Sequence, residues 1–408
     1  MKRNISIGFL GLLAVSSASA QGLYYVGSEA QESLPLKWVV GASAIYDDNV
    51  NPGFGAEDDS MAINPYVGLS FVNITPQTTL DVYARLGLIY YFDAPEGLDD
   101  VSSQSRAGIN FTHRFSERLR FSSRNFVSYE LEPDYSYGYA SSRTTGEYFF
   151  WQADNSVGYR WSERLATYTG LRISGTDYSE VDNNDLFTWE LYNQFRYQLS
   201  PQTVLTADYR YGQTNNGDGV ASDSTNQYLL FGAEHRFSPN TIGIVRAGAQ
   251  FRDVDDGDST TSPYLEFALN SQLTQALRVR SYARYGIEDY DTVQGVDGGV
   301  VSYDDRRTLR FGLSGEYTIS PMLSLFGGVD YIPTSFGDAR EISRTGLGAP
   351  DLSDQDEDVI NAYIGLSVRF NDFLTGTASY NFTDSSSDLD SGRDYNRNRI
   401  SVGVSAEF

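Results

Sequence analysis

Apolar and polar side chains alternate with a period of two along most of the chain. The segment that begins at Leu80 and the segment that ends the chain show this most clearly. Their apolar positions are Leu80, Val82, Ala84, Leu86, Leu88, Tyr90 and Phe92, then Ile400, Val402, Val404, Ala406 and Phe408. A period of two is that of a β-strand, because successive side chains point to opposite faces. The pattern recurs along the chain without a helical stretch, which predicts an all-β protein.

The second face of each predicted strand indicates what the sheet encloses. Between the apolar positions stand polar or small residues such as Asp81, Arg85, Ser401 and Gly403. A β-sandwich needs bulky side chains on the face that forms its core, whereas a transmembrane barrel is apolar outside and polar inside. We therefore predict an antiparallel up-and-down transmembrane β-barrel. A propeller has a similar repeat length, but each blade would need four strands and a core of its own.

Short turns with a common signature divide the pattern into hairpins. They lie at residues 75–78, 116–119, 162–165, 200–203, 238–241, 274–277, 320–323 and 371–374. Longer connections rich in Asp, Gly and Ser alternate with them, near residues 47–60, 93–101, 132–145, 179–184, 214–224, 254–260, 292–304, 336–357 and 384–394. Eight short and nine long connections join 18 strands, an even number as in bacterial barrels. One hairpin fewer gives 16 strands, which is the alternative.

The first 20 residues have the pattern of a cleaved signal peptide. Lys2 and Arg3 precede an apolar run from Ile5 to Val15, and Ala18-Ser-Ala20 provides a cleavage site. The apolar run is about half as long as the roughly 20 residues that a spanning helix needs. We therefore expect an exported protein with a signal peptide at 1–20, a short periplasmic segment at 21–36 and an outer-membrane barrel at 37–408.

Two further patterns are typical of outer-membrane barrels. Outward aromatic residues lie near the predicted strand ends, where they would form an interfacial girdle. They are Phe115, Trp151, Tyr159, Trp161, Tyr197, Phe237, Tyr317 and Phe370. The chain ends on Phe408, which resembles the terminal aromatic signal that such barrels present to the barrel assembly machinery.

The start of the predicted barrel carries a family resemblance. Residues 41–50 read GASAIYDDNV, which resembles the beta-barrel porin 2 family of Gram-negative outer-membrane proteins, where a Y-x-D-N-type element commonly closes the first strand. The hairpin pattern resembles that family across residues 37–408. The resemblance implies a barrel in outer-membrane lipid and suggests a pore. Some relatives take part in exopolysaccharide production, so an export or secretion barrel is an alternative function.

Composition excludes several classes of protein. The chain has 54 acidic and 30 basic residues and a formal net charge of −24, which argues against nucleic acid as a partner. It contains no Cys, which excludes disulfide frameworks, thiol catalysis and cysteine-ligated metals. Aromatic residues make up 14% of the chain, too many for a disordered acidic protein.

Basic side chains concentrate on the face predicted to line the lumen. After the signal peptide the chain has 27 Arg and one Lys, Lys37. Lumen-facing arginines include Arg85, Arg120, Arg124, Arg246, Arg278, Arg280, Arg284, Arg306 and Arg310. One hypothesis is a ladder of positive charge that favours anions in a water-filled pore, with the arginines of 278–284 and 306–310 as the best candidates. The alternative is that these arginines pair across strands with inward acids such as Asp81, Asp154, Glu234 and Asp330.

Acidic residues crowd the long connections. Solvated acidic loops are common, since net charge keeps proteins apart in solution. Carboxylates also bind Ca²⁺ or Mg²⁺, but residues 253–258 (DVDDGD) lack the Glu that an EF-hand places six positions after its Gly. We predict no cofactor, with a loop-bound divalent cation as the alternative.

Catalysis has little support in the sequence. The only histidines, His113 and His235, stand on the outward face three residues before short turns, where sibling hairpins carry Tyr. These positions suit girdle side chains better than a general base. No P-loop, G-x-S-x-G or H-E-x-x-H motif is present. We predict that the protein is not an enzyme.

The sequence thus predicts a porin-like barrel for passive diffusion of small hydrophilic solutes through an Arg-rich lumen. Barrels of 16–18 strands are wide enough to leave an aqueous channel. The alternatives are the export barrel and a plugged barrel that binds at the surface or stabilises the envelope. The connection 336–357, with Arg340, Glu341 and Arg344, is the predicted constriction loop if it folds inward.

Overall fold

The computed structural model describes most of the chain beyond the predicted signal peptide. The described residues are 33–50, 52, 58–94, 99–131, 146–179, 185–217, 221–255, 257–289, 292–296, 298–344, 352–389 and 393–408. The predicted signal peptide and all but the last four residues of the predicted periplasmic segment lie outside these ranges. Among the described residues, no helix is long and apolar enough to cross a membrane.

Within these ranges, twenty strands form one antiparallel sheet, and eighteen of them make the barrel wall. The barrel strands are β1 (Leu34–Asp47), β2 (Ser60–Ile74), β3 (Thr78–Tyr91), β5 (Ser105–Arg114), β6 (Leu119–Glu130), β7 (Tyr148–Arg160), β8 (Leu165–Tyr178), β9 (Leu186–Ser200), β10 (Thr203–Asn216), β11 (Ser224–Ser238), β12 (Thr241–Val254), β13 (Thr260–Gln272), β14 (Leu277–Ile287), β16 (Gly299–Ser320), β17 (Leu323–Arg344), β18 (Gln355–Arg369), β19 (Leu374–Ser387) and β20 (Tyr395–Glu407). Two short strands, β4 (Val101–Ser103) and β15 (Val293–Val296), add to the outer ends of β3 and β16. The prediction of 18 barrel strands is confirmed.

The sheet closes because its first and last strands pair. The register of β1 with β20 runs from Val39 opposite Glu407 to Asp47 opposite Arg399. Trp38 N donates to the carbonyl oxygen of Phe408 at 3.0 Å, and Phe408 N donates back to Trp38 at 2.8 Å. Closure leaves no open edge among the eighteen described barrel strands, which satisfies the backbone within a bilayer.

The turn signature has a hydrogen-bonding basis. In the turn between β5 and β6, Ser116 Oγ accepts from the backbone N–H of Arg118 at 3.2 Å and of Leu119 at 3.0 Å. Thr274 Oγ1 accepts from Leu277 N at 3.0 Å, and Asn371 Oδ1 accepts from Leu374 N at 2.8 Å. A short acceptor side chain at the first position therefore closes the turn locally, as Ser, Thr and Asn do in other turns. All eight predicted short turns join neighbouring barrel strands.

The outer surface of the barrel is apolar. Leu86, Leu191 and Val402 are each half exposed or more, at 56%, 50% and 57%, and they are typical of the outward positions. Six of the eight predicted girdle aromatics are exposed beside short turns: Phe115, Trp161, Tyr197, Phe237, Tyr317 and Phe370. A closed barrel with an apolar belt and aromatic rings at its rim is an integral outer-membrane barrel.

The long connections differ from the prediction between β14 and β18. β16 and β17 are each 22 residues long, and their outer halves pair from Gly299 opposite Arg344. Residues 336–344 and 355–357, predicted as part of one long connection, therefore belong to β17 and β18. The connection after β14 begins at Glu288 rather than at residue 292. The sequence prediction was wrong here because the outer strand segments are rich in Asp, Gly and Ser, which is the composition of a loop.

Candidate functional site

The nine arginines predicted to line the lumen all lie on inward strand faces. Arg85, for example, alternates with Leu86, whose side chain is 56% exposed on the outer surface. The nine are Arg85 on β3, Arg120 and Arg124 on β6, Arg246 on β12, Arg278, Arg280 and Arg284 on β14, and Arg306 and Arg310 on β16. The alternation of each strand places them there. What these side chains do for solutes remains a prediction.

Asp154 on β7 binds guanidinium groups from the strands on both sides. Its Oδ2 lies 3.0 Å from Arg124 Nη2 and 3.2 Å from Arg172 Nη2. Tyr192 on β9 donates its hydroxyl to Asp154 Oδ1 at 2.7 Å. The strand register sets Asp154 directly opposite both Arg124 and Arg172. Part of the arginine ladder is therefore a row of cross-strand ion pairs, as the pairing alternative predicts.

A second charged cluster joins β9 to β13. Arg196 donates to both carboxylate oxygens of Glu234, at 2.7 and 2.6 Å, and both side chains are almost fully buried. Glu266 lies 3.0 Å from Arg210 and 3.0 Å from Arg246. Arg246 also lies 3.6 Å from Glu234, so the pairs form one continuous network. Such bidentate arginine pairs hold side chains in a fixed geometry.

Glu288, the first residue after β14, accepts hydrogen bonds from three arginines. Arg310 donates from Nε at 2.7 Å and from Nη2 at 2.8 Å. Arg284 donates at 2.6 Å and Arg306 at 3.2 Å. Burial raises the pKa of the Glu288 carboxyl, but the Arg310, Arg284 and Arg306 guanidinium groups outweigh burial and hold the pKa well below its usual range. The carboxylate is therefore ionised at neutral pH.

Asp289 anchors the same segment to the wall strands beyond β13. Its carboxylate accepts from Ser224 Oγ at 2.7 Å, Asn226 Nδ2 at 2.8 Å, Thr214 Oγ1 at 3.1 Å and Arg252 Nε at 2.8 Å. These partners lie on β10, β11 and β12, and β13 separates all of them from β14. The segment 288–289 therefore turns into the lumen, and we call it the inward segment.

Above the inward segment, three strands extend past the barrel wall. This outer extension consists of β15, residues 299–305 of β16 and residues 337–344 of β17. Gly298 enters it with φ of 91°, a conformation that favours glycine, and Asp338 bends β17 with φ of 53°. Its core contains Val301, Tyr303, Phe336 and, from the connection between β19 and β20, Leu389.

The outer extension contacts two nearly opposite sides of the barrel mouth. Arg340 Nη2 donates to Ser222 Oγ in the β10–β11 connection at 2.7 Å. Arg393 Nη1 in the β19–β20 connection donates to Gln294 Oε1 on β15 at 3.1 Å. Eight of the eighteen barrel strands separate these two connections along the shorter way round. The extension therefore lies across part of the mouth.

The residues of the predicted constriction loop belong to this extension. Arg340, Glu341 and Arg344 lie on β17, paired with residues near the start of β16, and not on an irregular loop. Arg340 contacts the far rim, whereas Arg344 pairs with Glu341 at 3.0 Å on the exposed outer end. The residues that do turn into the lumen, Glu288 and Asp289, were not predicted. No periodic signal marks them, since they follow the last strand residue of β14 in a plain acidic connection.

The lumen ion pairs are not exposed symmetrically. Arg106 is 36% exposed against 5% for its partner Glu130, and Arg124 is 29% exposed against 7% for Asp154. Arg284 is 35% exposed against 7% for Glu288. The Arg246–Glu266 pair is exposed about equally, at 21% and 23%. In the first three pairs the carboxylate is withdrawn toward the wall, and the guanidinium is the charge that solvent reaches. Two pairs beside the inward segment have the opposite asymmetry, at 13% for Arg210 against 23% for Glu266 and 3% for Arg252 against 16% for Asp289.

Arg85 has a different environment from the paired arginines. Its guanidinium carbon lies 3.9 Å from the centre of the Tyr66 ring, and its Nη2 donates to Asn64 Oδ1 at 3.2 Å. Arg106 stands directly opposite it on β5. Within the described part of the chain, Arg85 forms no ion pair with a carboxylate. It is held by stacking and one amide, so its charge is only partly compensated.

The two histidines occupy equivalent positions on the outer surface. His113 Nδ1 lies 2.8 Å from Thr78 Oγ1, and His235 Nδ1 lies 2.9 Å from Thr203 Oγ1. Each imidazole packs edge-on against the aromatic ring two residues later, at 4.8 Å and 4.7 Å between centres. These contacts belong to the girdle. Among the described residues no group of three or more His, Asp or Glu is arranged to hold a metal ion; residue 256 of the acidic segment lies outside those residues.

Comparison with known proteins returns other barrels. No family model matches the chain, and no curated protein matches it. The outer membrane protein OpdK from Pseudomonas aeruginosa is 13% identical, with a TM-score of 0.46 over 91% of this chain and 99% of that chain. Pseudomonas aeruginosa OccK2 (OpdF), solved in complex with glucuronate, is 11% identical, with a TM-score of 0.46 over 92% and 98%.

A third solved structure is Acinetobacter baumannii OccAB4, 11% identical with a TM-score of 0.43 over 92% of this chain and 99% of that chain. At these identities and scores, the solutes of those proteins have no bearing on this one. The resemblance of residues 41–50 to the beta-barrel porin 2 family stays a prediction.

Proposed function

We propose that the protein is a porin-like channel of the outer membrane that passes small hydrophilic solutes by diffusion and favours anions. This proposal rests on the greater exposure of the arginine than of its carboxylate partner in three lumen ion pairs. Because Arg106, Arg124 and Arg284 are accessible while their carboxylate partners are withdrawn, a solute in the lumen meets a positive surface even though the charges are paired. Rings of such side chains determine ion selectivity in other pores.

The barrel supplies the passage. Eighteen strands enclose a lumen that is wider than its wall side chains can fill. The inward segment narrows the lumen beside β10–β16, where Arg306, Arg310 and Gln250 are almost fully buried. The accessible arginines Arg106, Arg124 and Arg172 lie on β5, β6 and β8, away from that segment. The open path therefore follows the β5–β8 side of the lumen. This arrangement needs no cofactor and no catalytic group.

Planar-bilayer recording of the purified protein tests the proposal. We expect discrete conductance steps and a reversal potential, under a KCl gradient, that shows anion preference. Absence of steps at several protein concentrations would exclude an open channel. Steps with cation preference would retain the channel and exclude the role given to the arginines.

A plugged barrel is the second candidate, and a specific observation favours it. The inward segment and the outer extension both occupy space that a wide general pore leaves open, and each is fixed by several hydrogen bonds. If this candidate is correct, the intact protein is silent in the bilayer. Removal of residues 288–292 would then produce conductance steps.

A further inference from the structure

One part of the membrane-facing surface is polar. At mid-strand on four neighbouring strands, outward positions are occupied by Ser123 and Asn125 on β6, Asn155 on β7, Thr169 on β8 and Asn193 on β9. Asn125 and Thr169 are exposed and the other three are half-buried. We call these five residues the mid-belt polar patch.

The patch is continuous across the strands. Ser123 stands directly opposite Asn155, and Thr169 stands directly opposite Asn193. Asn125 Nδ2 donates to Ser123 Oγ at 3.0 Å, and Asn193 Nδ2 donates to Thr169 Oγ1 at 2.6 Å. Asn155 lies on the strand between these two bonded pairs, opposite Ser123 on β6 and Leu171 on β8.

The rest of the described belt differs from the patch. Mid-strand outward positions elsewhere are apolar or small, as at Leu86, Phe231, Ile364 and Val402, which are all exposed. Ser281 on β14 is a single polar exception, flanked on its own strand by Val279 and Ala283. Five polar side chains on neighbouring strands are therefore a local feature and not the general composition of the belt.

Lipid tails cannot satisfy these side chains. Each Asn has two N–H donors and a carbonyl acceptor, and the two internal bonds use only one donor of Asn125 and one of Asn193. Polar groups that face hydrocarbon without partners are costly, which favours contact with protein at such a surface.

We propose that the mid-belt polar patch is the contact surface for a second copy of this chain in the membrane. The patch carries no formal charge, so it does not call for a partner of opposite charge. Its amides and hydroxyls both donate and accept, so the patch is complementary to itself. Self-complementary surfaces form two-fold interfaces, in which the same residues meet from both copies.

The surroundings of the patch agree with a contact inside the bilayer. Val127, Val157, Leu171, Leu191 and Phe195 are exposed around it and form an apolar frame. In lipid, apolar surface alone gives no net drive to association, and polar contacts with close packing provide it. Both copies have the same orientation in the membrane, so the two-fold axis is parallel to the membrane normal and Asn155 lies next to its equivalent in the partner.

Cysteine cross-linking in native outer membranes tests this arrangement, because the chain contains no Cys. We expect Asn155→Cys to give a disulfide-linked band at twice the mass of the chain under mild oxidation, reversed by reductant. The matched control is Ser281→Cys, which places a thiol at an outward mid-strand position away from the patch and should stay monomeric. Equal cross-linking of the two variants would overturn the proposal, as would an Asn155→Cys band with a different protein.

A second variant removes the patch chemistry. Asn155→Leu with Asn193→Leu should convert a two-copy particle to one copy in sedimentation equilibrium in detergent, while Ser281→Leu leaves the mass unchanged. Heat-dependent migration on a gel verifies that each barrel is folded. A wild-type protein that sediments as one copy throughout, together with absent cross-linking, would also overturn the proposal. A protein without bilayer conductance would give the same cross-linking and sedimentation results, so this test is independent of the test of the channel.

Discussion

Arg340 on β17 donates a hydrogen bond to Ser222, 118 positions earlier in the chain, with 2.7 Å between Nη2 and Oγ. This contact ties the outer extension to the β10–β11 connection, across the mouth from the β19–β20 connection that carries Leu389 and Arg393. A hydrogen bond from a charged donor contributes about 1.5–3 kcal/mol, so thermal motion can break it. We therefore predict that the extension can separate from Ser222 and uncover this side of the mouth.

Locking this contact should change gating. In the double variant Ser222→Cys with Arg340→Cys, a reducible bis-methanethiosulfonate linker that replaces the length of the Arg340 side chain would hold the extension over the mouth, and we expect fewer transitions to the largest conductance level. Reduction should restore them in the same bilayer. Ser222→Cys alone is the control. Identical recordings before and after reduction would show that the extension does not move during conduction.

Removing the charge of Glu288 should widen the channel and strengthen its anion preference. In Glu288→Gln the Arg284, Arg306 and Arg310 guanidinium groups lose their shared carboxylate, which weakens the anchor of the inward segment. We expect larger single-channel conductance and a reversal potential further toward anions. Asp372→Asn, in a short turn, is the control for charge alone. An unchanged conductance would contradict the assigned anchoring role.

The lowered pKa of Glu288 predicts how the inward segment responds to acid. The pKa of Glu288 is lower in the folded protein than its ordinary value of 4.5. Its contribution to the free energy of unfolding is therefore fully present above pH 4.5 and is lost only as the pH falls through the depressed folded value. Conductance of the wild type should stay constant from neutral pH to the ordinary Glu pKa. An opening transition within that range would contradict the depressed pKa.

Charge removal on the open side of the lumen should shift selectivity. Arg172→Gln removes an accessible guanidinium and leaves Asp154 with one arginine partner. Two unit charges about 4 Å apart in water interact by about 1 kcal/mol. The ratio of anion to cation permeability should therefore fall by about fivefold at low salt and by less at high salt. Arg118→Gln in the exposed β5–β6 turn should leave the ratio unchanged. Equal effects of the two variants would mean that overall charge, and not position, sets the selectivity.

The buried Arg196–Glu234 pair should matter more for stability than for conduction. Glu234→Gln leaves a buried guanidinium with a weaker partner, and we expect a loss of about 3 kcal/mol in the free energy of unfolding. The double variant Glu234→Leu with Arg196→Met removes both charges and should recover most of the loss. Urea unfolding in lipid vesicles, followed by Trp fluorescence, measures both. A double variant as unstable as the single one would contradict this account.

Most of the features that the sequence predicted correctly depend on local patterns. The alternation of strands such as β3 and the short acceptor at Ser116 or Thr274 act over a few residues, so strand number, turns and the inward face could be predicted from the sequence. The inward segment could not, because the partners of Asp289 come from three strands that lie 37 to 75 positions away. The sequence favoured pairing of the lumen arginines across strands over an unpaired ladder, but it did not identify the partners. Which guanidinium meets which carboxylate depends on strand register, and register is set by the whole barrel.

The pairing of β1 with β20 also determines when the protein can exist as a barrel. Lys37 and Glu407 form an ion pair across that seam although they are 370 positions apart. Until β20 arrives, β1 has an unpaired edge, and exposed strand edges promote aggregation. Folding of the first half of the chain does not remove this exposed edge, because the barrel closes only when β1 pairs with β20. We therefore expect the unassembled chain to aggregate unless its strand edges are covered until the last strand is available.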